Sequence, residues 1–192
     1  MPETVPKTVR GAVPQTIIVC GLADVEPLIA ARRPSHMITL LDPASMIETP
    51  PGVAPHRHLK LGVNDIVEPM EAMIVPDETV VGAILAFGAT WDGADPMLIH
   101  CWAGISRSTA AAFLLACARS PDVDERTIAQ ALRRAAPHAS PNRRIVALAD
   151  QLMGRGGAMV EAVEAMGEYD YAAACPFDFP IGAPVATPGR RA

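Results

Sequence analysis

Short runs of apolar residues alternate along the chain with longer segments in which apolar residues recur at helical spacing. The runs at 16–20, 37–41 and 97–101 predict buried strands, and residues 56–63 predict a weaker strand. Helices are predicted at 23–31 and 108–118, from about Asp77 to Trp91, after the acidic stretch 122–125, and from about residue 145 to 153. Gly154-Arg155-Gly156-Gly157 should divide the last helical region into two pieces.

This order of elements predicts an α/β fold with a central, mostly parallel sheet of about four or five strands and helices on both faces. A chain of 192 residues with 50% hydrophobic content can bury one substantial core, so we expect one folded domain, at 16–166. The proline-containing ends are predicted to be a flexible N-terminal extension, 1–15, and a Pro-rich C-terminal extension, 167–192.

The segment His100-Cys101-Trp102-Ala103-Gly104-Ile105-Ser106-Arg107-Ser108 carries the strongest chemical signal. It joins a predicted strand to a predicted helix, where the first helical amides and the helix dipole favour a bound anion. Gly104 allows a tight backbone turn, and the guanidinium of Arg107 can hold two phosphate oxygens. The same cationic surroundings favour the thiolate of Cys101, which makes this cysteine a candidate nucleophile.

The segment resembles the His-Cys-x5-Arg-Ser/Thr signature of cysteine-dependent protein tyrosine phosphatases, and its Ala-Gly-Ile-Ser-Arg-Ser core is most similar to the dual-specificity branch. The resemblance implies that Cys101 attacks phosphorus and that water hydrolyses the resulting cysteinyl-phosphate intermediate. It also implies that Ser108 assists departure of the sulfur. We expect His100 to orient the loop through a hydrogen bond and not to act as a base, since the thiol is already activated without it. The implied phosphate-binding residues are Trp102, Ala103, Gly104, Ile105, Ser106 and Arg107.

A leaving oxygen needs a proton, so this chemistry requires a carboxylic acid on another segment. Asp65 is the leading candidate, because it follows an apolar segment, lies 36 residues before Cys101, and matches the position implied by the resemblance. Asp77 and Asp92 compete with it. A helix cap would explain Asp77, a turn would explain Asp92, and a solvated surface position remains open for all three.

The turn Ser140-Pro141-Asn142 supplies a further candidate. Dual-specificity phosphatases have a similar turn before a helix, where it packs beside the catalytic loop, so the resemblance implies a supporting role for Asn142. An ordinary helix cap explains Asn142 equally well. Arg143 and Arg144, which follow, are either solvated charges or a positive rim that attracts phosphorylated substrates.

His56 and His58 would share one face of the predicted weaker strand, which is a spacing that a metal site can use. The sequence offers no evident third ligand, so we expect no metal and no cofactor. A net charge of −5 disfavours nucleic-acid binding. The chain lacks an apolar span or a signal-like start, and its four cysteines lack paired spacing, which together predict no membrane association and a cytoplasmic location.

The predicted function is therefore phosphomonoester hydrolysis by a protein-tyrosine or dual-specificity phosphatase, with a phosphorylated protein or a small phosphomonoester as substrate. An inositol phosphate or phospholipid is the alternative substrate. The resemblance implies that enzymes of that kind carry lysines in the loop, and positions 102–106 carry none. A phosphate-binding module without turnover is the alternative outside enzymes, although such modules usually lack the cysteine, the arginine or the acid.

Overall fold

The computed structural model describes residues 15–182, which form a five-stranded sheet flanked by helices. The strands are β1 (Gln15–Cys20), β2 (His36–Leu41), β3 (His58–Gly62), β4 (Met97–His100) and β5 (Phe177–Ile181). Their order in the sheet is β3-β2-β4-β1-β5, with parallel pairing from β3 to β1 and antiparallel pairing of β5 with β1. The predicted α/β class and mostly parallel sheet are confirmed.

Six α-helices are formed by this part of the chain, and several begin at a side chain that caps them. They are α1 (Val25–Arg32), α2 (Glu78–Thr90), α3 (Arg107–Arg119), α4 (Glu125–Ala135), α5 (Arg143–Leu152) and α6 (Ala158–Glu164). Asp77, Asp124 and Asn142 accept backbone hydrogen bonds at the starts of α2, α4 and α5. Gly154 and Gly156 adopt positive φ between α5 and α6, where the sequence predicted a break.

Two hydrophobic clusters cover the two faces of the sheet. The smaller one packs Val25 and Ile29 of α1 against Met37 and Leu98 of the strands. The larger one joins the opposite strand face to the remaining helices and includes most of α3. The segment 100–106 is called the catalytic segment after its predicted role. Because α3 is buried along Arg107–Cys117, the helix that follows this segment is fixed in the centre of the domain.

The predicted C-terminal extension is wrong for residues 177–181, which form the edge strand β5. Phe177, Phe179 and Ile181 alternate with exposed residues and are buried against the sheet. Asp178 on the other face forms a two-pronged ion pair with Arg32 of α1, at 2.9 and 3.0 Å. The predicted N-terminal extension lies outside the described residues, except for Gln15, which begins β1.

The predicted strand at 56–63 is also shorter than expected. Pro55–Arg57 form a single 3-10 turn, and the strand starts at His58. His56 is exposed on that turn, whereas His58 is buried within the sheet. Because His56 is not a strand residue, the two histidines do not share a strand face, and the spacing argument for a metal pair fails.

Candidate active site

The catalytic segment lies at the carboxyl edge of the parallel strands, where α/β proteins commonly bind ligands. It connects the end of β4 to the start of α3 and forms the floor of a cleft of about 770 Å³. The walls come from residues 65–70, from the turn 140–143, and from Tyr169 and Tyr171. A cleft of this size accommodates a small ligand or the side chain of a larger one.

Gly104 fixes the catalytic segment against the end of β1. Its φ is +76°, and a Cβ at this position would lie 2.7 Å from the carbonyl carbon of Cys20. Both the backbone conformation and the close approach therefore require glycine.

Neighbouring segments hold the carbonyl groups of the catalytic segment. The carbonyls of Trp102, Ile105 and Ser106 accept hydrogen bonds from the amides of Leu22, Ser140 and Asn142. In a trans peptide, the next amide points opposite to the carbonyl. The amides of residues 103, 106 and 107 consequently point away from these anchoring segments, and an anion can use them as donors.

Cys101 is buried at the base of the cleft, next to the hydroxyl of Ser108. Cys101 Sγ and Ser108 Oγ are 3.2 Å apart, and Ser108 lies in the first turn of α3. A hydroxyl at this distance can donate to a sulfur anion. The position of Ser108 thus fits assistance to a thiolate, as the sequence resemblance implied.

Arg107 begins α3, and its guanidinium is almost completely buried beside the cleft. One of its terminal nitrogens donates to the carbonyl of Val63 over 2.7 Å, which links the catalytic segment to the chain just after β3. Within residues 15–182, its buried Nε has no hydrogen-bond partner. An unsatisfied buried donor is costly, and an oxyanion in the cleft would satisfy it.

Asp65 lies across the cleft and is linked directly to the catalytic segment. Its Oδ1 accepts hydrogen bonds from Ser106 Oγ at 2.7 Å and from Asn142 Nδ2 at 2.9 Å. Its Oδ2 is 3.9 Å from Arg107 Nε. The leading candidate for the acid therefore shares one cleft with Cys101 and Arg107.

The two competing aspartates lie elsewhere and have structural roles. Asp77 caps α2 by accepting from the amide of Val80 at 3.0 Å. Asp92 accepts from the amide of Ala94 at 3.0 Å in the loop before β4. This loop lies at the amino ends of the parallel strands, opposite to the cleft at their carboxyl ends. The alternatives of a helix cap and a turn describe these residues correctly.

Asn142 has both roles that the sequence left open. Its Oδ1 accepts from the amides of Arg144 and Ile145, each at 3.1 Å, and so caps α5. Its Nδ2 meanwhile donates to Asp65. Arg144 donates to the carbonyls of Pro76 and Val67 and so anchors residues 65–76, the acid-bearing segment, to α5. Arg143 is exposed at the cleft.

His100 begins a chain of buried hydrogen bonds that runs across three strands. Its Nδ1 lies 3.3 Å from the carbonyl of Cys101, and its Nε2 lies 2.7 Å from Thr39 Oγ1. Thr39 Oγ1 is also 2.7 Å from His58 Nε2, and His58 Nδ1 is 2.9 Å from Thr49 Oγ1. Burial lowers the pKa of both histidines to about 4.

These contacts determine the direction of each hydrogen bond in the chain. A carbonyl only accepts, so neutral His100 donates through Nδ1 and accepts from Thr39 at Nε2. The Thr39 hydroxyl then accepts from His58 Nε2, and His58 accepts at Nδ1 from Thr49. His100 thus contacts the backbone of the catalytic segment and is itself held by Thr39, a placement that fits the expected orienting role.

Sequence reasoning missed Thr39, Tyr169 and Tyr171, and it considered His58 only as a possible metal ligand. A threonine in an apolar strand and a histidine in a weak strand gave no signal that they would meet. The two tyrosines were assigned to the C-terminal extension. Their approach to the cleft depends on chain segments pairing over long distances, as when the amide of Asp170 donates to the carbonyl of Pro137.

No cluster of three or more His, Cys, Asp or Glu side chains suited to a metal occurs within residues 15–182. Cys20 and Cys101 pack in hydrophobic clusters on opposite faces of the sheet. Burial raises the pKa of the Cys20 thiol to about 12.

Across residues 15–182, no helix combines the length and apolar character needed to cross a bilayer.

The fold is similar to that of several solved phosphatases. DUSP15 is 18% identical with a TM-score of 0.59, over 81% of this chain and 92% of that chain. The PTP-2 phosphatase of Cydia pomonella is 17% identical with a TM-score of 0.52, over 69% and 83%. PTPMT1, solved in complex with PI(5)P, is 14% identical with a TM-score of 0.51, over 77% and 88%. At these identities the similarity establishes the fold.

No protein-family model matches the sequence, and no curated protein sequence matches it either.

Proposed function

We propose that this protein is a phosphomonoester hydrolase of the protein-tyrosine or dual-specificity type that works through a cysteinyl-phosphate intermediate. One observation carries the proposal: Cys101, the unsatisfied Nε of Arg107, and Asp65 converge on a single cleft. They provide a nucleophile, an anion-binding group and an acid. The similarity of the fold to solved phosphatases supports the same reaction class.

In the first step, the Cys101 thiolate attacks phosphorus, and the bond from phosphorus to the leaving oxygen breaks. Asp65 gives that oxygen a proton. Both side-chain hydrogen bonds to Asp65 end on Oδ1, which leaves Oδ2 available to hold and transfer the proton. The loop amides and Arg107 stabilise the charge on the equatorial oxygens.

In the second step, water attacks phosphorus and gives its proton to the Asp65 carboxylate. The phosphorus–sulfur bond breaks, its electron pair returns to sulfur, and inorganic phosphate leaves. Ser108, 3.2 Å from the sulfur, donates a hydrogen bond to the departing thiolate. No metal ion has a role in either step. We also propose a cytoplasmic location, because reducing surroundings keep a reactive thiolate in its active form.

Hydrolysis of p-nitrophenyl phosphate by the full chain, with and without vanadate, tests the proposal. We expect vanadate-sensitive turnover that survives EDTA, and we expect Cys101→Ser to lose it while still binding vanadate. Arg107→Lys should also lose most of its turnover, because the ammonium of lysine cannot donate the paired hydrogen bonds of a planar guanidinium. Turnover that persists in Cys101→Ser, or that needs an added metal, would contradict the mechanism.

A phospholipid or inositol phosphate is the second candidate substrate. PTPMT1 was solved with PI(5)P, and its fold is similar to that of this chain. The loop residues Trp102, Ala103, Ile105 and Ser106 provide no cationic side chain for additional phosphate groups, which places this candidate second. Binding of phosphopeptides without phosphate release would instead identify a phosphate-binding module.

A further inference from the structure

Large apolar side chains that are exposed to solvent are concentrated around the cleft. Five of them line it, and we call this set the apolar rim: Val67, Met70, Trp102, Tyr169 and Tyr171. Met73 and Ile74, a few residues after Met70, are exposed as well. Leu152, near the end of α5, is the remaining large apolar side chain with comparable exposure among residues 15–182. Clustering of this kind marks an interaction surface.

Hydrogen bonds between residues that flank Val67 and Met70 order their side of the rim. Asn64 and Ile74 close the base of the segment, with the Asn64 amide donating to the Ile74 carbonyl and the Ile74 amide donating to Asn64 Oδ1, each over 2.8 Å. Arg144 ties the same segment to α5. Met70, 54% exposed, therefore stands on an ordered segment at the edge of the cleft.

The tyrosine side of the rim is ordered in the same way. The Asp170 amide donates to the Pro137 carbonyl at 3.0 Å, and Asp170 Oδ1 accepts from the Ala172 amide at 3.1 Å. Tyr169 and Tyr171, on either side of Asp170, line the cleft with 48% and 68% of their surface exposed. Tyrosines placed in this way offer a large contact area at a small cost in conformational entropy.

The charges around the rim are mostly negative. Glu68 lines the cleft, and Glu71, Glu168 and Asp170 lie on the two rim segments with their side chains exposed. Arg143 is the one exposed cation that lines the cleft as described. An anionic membrane surface or an acidic peptide would meet like charge here, which is unfavourable.

Resting on the proposed hydrolysis of phosphate esters, we propose that the apolar rim binds the residues next to the phosphorylated side chain of a peptide, and that the preferred substrate is a phosphopeptide with large apolar flanking residues. The phosphate at Cys101 and Arg107 fixes where the flanking residues emerge. The rim then covers their apolar surface, and its carboxylates disfavour acidic sequences.

Two phosphotyrosine peptides of equal length test this inference, one with leucine and phenylalanine beside the phosphotyrosine and one with aspartate and glutamate. We expect kcat/KM to favour the apolar peptide by roughly 10-fold or more. Met70→Ser and Tyr171→Ser should bring the ratio toward one, mainly through a higher KM for the apolar peptide. Leu152→Ser, made at the exposed site outside the rim, should keep the wild-type ratio.

The outcomes separate this inference from the proposed function. Equal turnover of the two peptides, a preference for the acidic peptide, or faster release of phosphate from phosphatidylinositol phosphate in phosphatidylcholine vesicles would overturn it while leaving the hydrolase in place. A rim variant with an unchanged ratio would overturn it as well. If the wild-type protein hydrolyses neither peptide and does not hydrolyse p-nitrophenyl phosphate, the proposed function itself is refuted.

Discussion

The side-chain amide of Asn142 donates a hydrogen bond of 2.9 Å to Asp65, which lies 77 residues earlier in the chain. The other end of the same amide caps α5. Asn142 is therefore a positioning residue that connects the proposed acid to the rigid start of a helix. The two roles use different atoms, so substitutions can separate them.

Asn142→Asp keeps an oxygen for the helix cap but replaces the donor to Asp65 with a like charge. We expect α5 to keep its cap, because aspartate is as good a cap as asparagine. We expect kcat to fall by roughly 10- to 100-fold on alkyl phosphates, with a smaller loss on p-nitrophenyl phosphate. A uniform loss on both substrates would indicate that Asn142 does not act through Asp65.

Asp65→Asn tests the acid itself. We expect the first step to slow by roughly two to four orders of magnitude on substrates with poor leaving groups, and much less on an activated aryl phosphate. The basic limb of the pH profile of kcat/KM should flatten in this variant. Asp77→Asn and Asp92→Asn are matched controls, since the carboxylate of each accepts a hydrogen bond from a nearby backbone amide and neither residue lines the cleft. A leaving-group effect in either control would mean that the acid is wrongly assigned.

Ser108→Ala should affect the second step more than the first. Without the hydroxyl 3.2 Å from the sulfur, the thiolate leaves phosphorus less readily. We expect a lower kcat and the appearance of a burst of p-nitrophenol equal to the enzyme concentration, because the cysteinyl-phosphate then accumulates. Rapid-quench kinetics measure the burst, and an unchanged kcat without a burst would refute this role.

The buried histidines should make stability depend on pH. Burial lowers the folded-state pKa of His58 and His100 to about 4 from an ordinary value of 6.5, so the unfolded chain binds protons first as the pH falls. The stability that the folded protein gains from the two neutral histidines is complete above pH 6.5 and is lost as the pH falls from that value to about 4. The loss should reach roughly 3 kcal/mol for each histidine.

Urea unfolding of wild type and His58→Gln at several pH values measures this effect. Glutamine offers a donor to Thr39 and an acceptor to Thr49 without titrating. The difference between the two proteins in how steeply the free energy of unfolding changes with pH therefore isolates His58. If this free energy changes equally with pH in both proteins, the burial of His58 does not govern the pH dependence.

Phe179→Ala tests whether β5 belongs to the folded domain. Phe179 is 2% exposed and belongs to the main hydrophobic cluster. Its truncation should lower the free energy of unfolding by about 3 to 5 kcal/mol. Asp178→Ala, on the exposed face of the same strand, should cost less than about 1 kcal/mol, because it removes only a partly solvated ion pair. Equal effects would place β5 outside the cooperative unit.

The sequence predicted the parts of the site that are local. Cys101, Arg107 and Ser108 lie within eight consecutive positions, and the strand and helix around them have unmistakable patterns. Asp65 was placed by its spacing and by the family resemblance. Its contacts with Ser106 and Asn142 follow from packing between distant segments, which hydrophobic periodicity does not encode.

The errors have physical reasons of the same kind. Phe177-Asp178-Phe179-Pro180-Ile181 alternates like a strand, but the surrounding prolines indicated an irregular tail. Proline is compatible with an edge strand, and pairing with β1 supplied the stability that local preference lacked. His56 was assigned to a strand as the first residue of the weak pattern 56–63, whereas Pro55 starts a 3-10 turn there.

The edge position of β5 also affects how separate molecules meet. Without this strand, β1 would present a row of unpaired amides and carbonyls to any second chain. Strand β5 takes up that row, and β5 itself includes Pro180, which has no amide to offer, and the charged Asp178. At the opposite edge, β3 is short and carries Lys60. Both borders of the sheet thus resist the strand-to-strand growth that leads to aggregation.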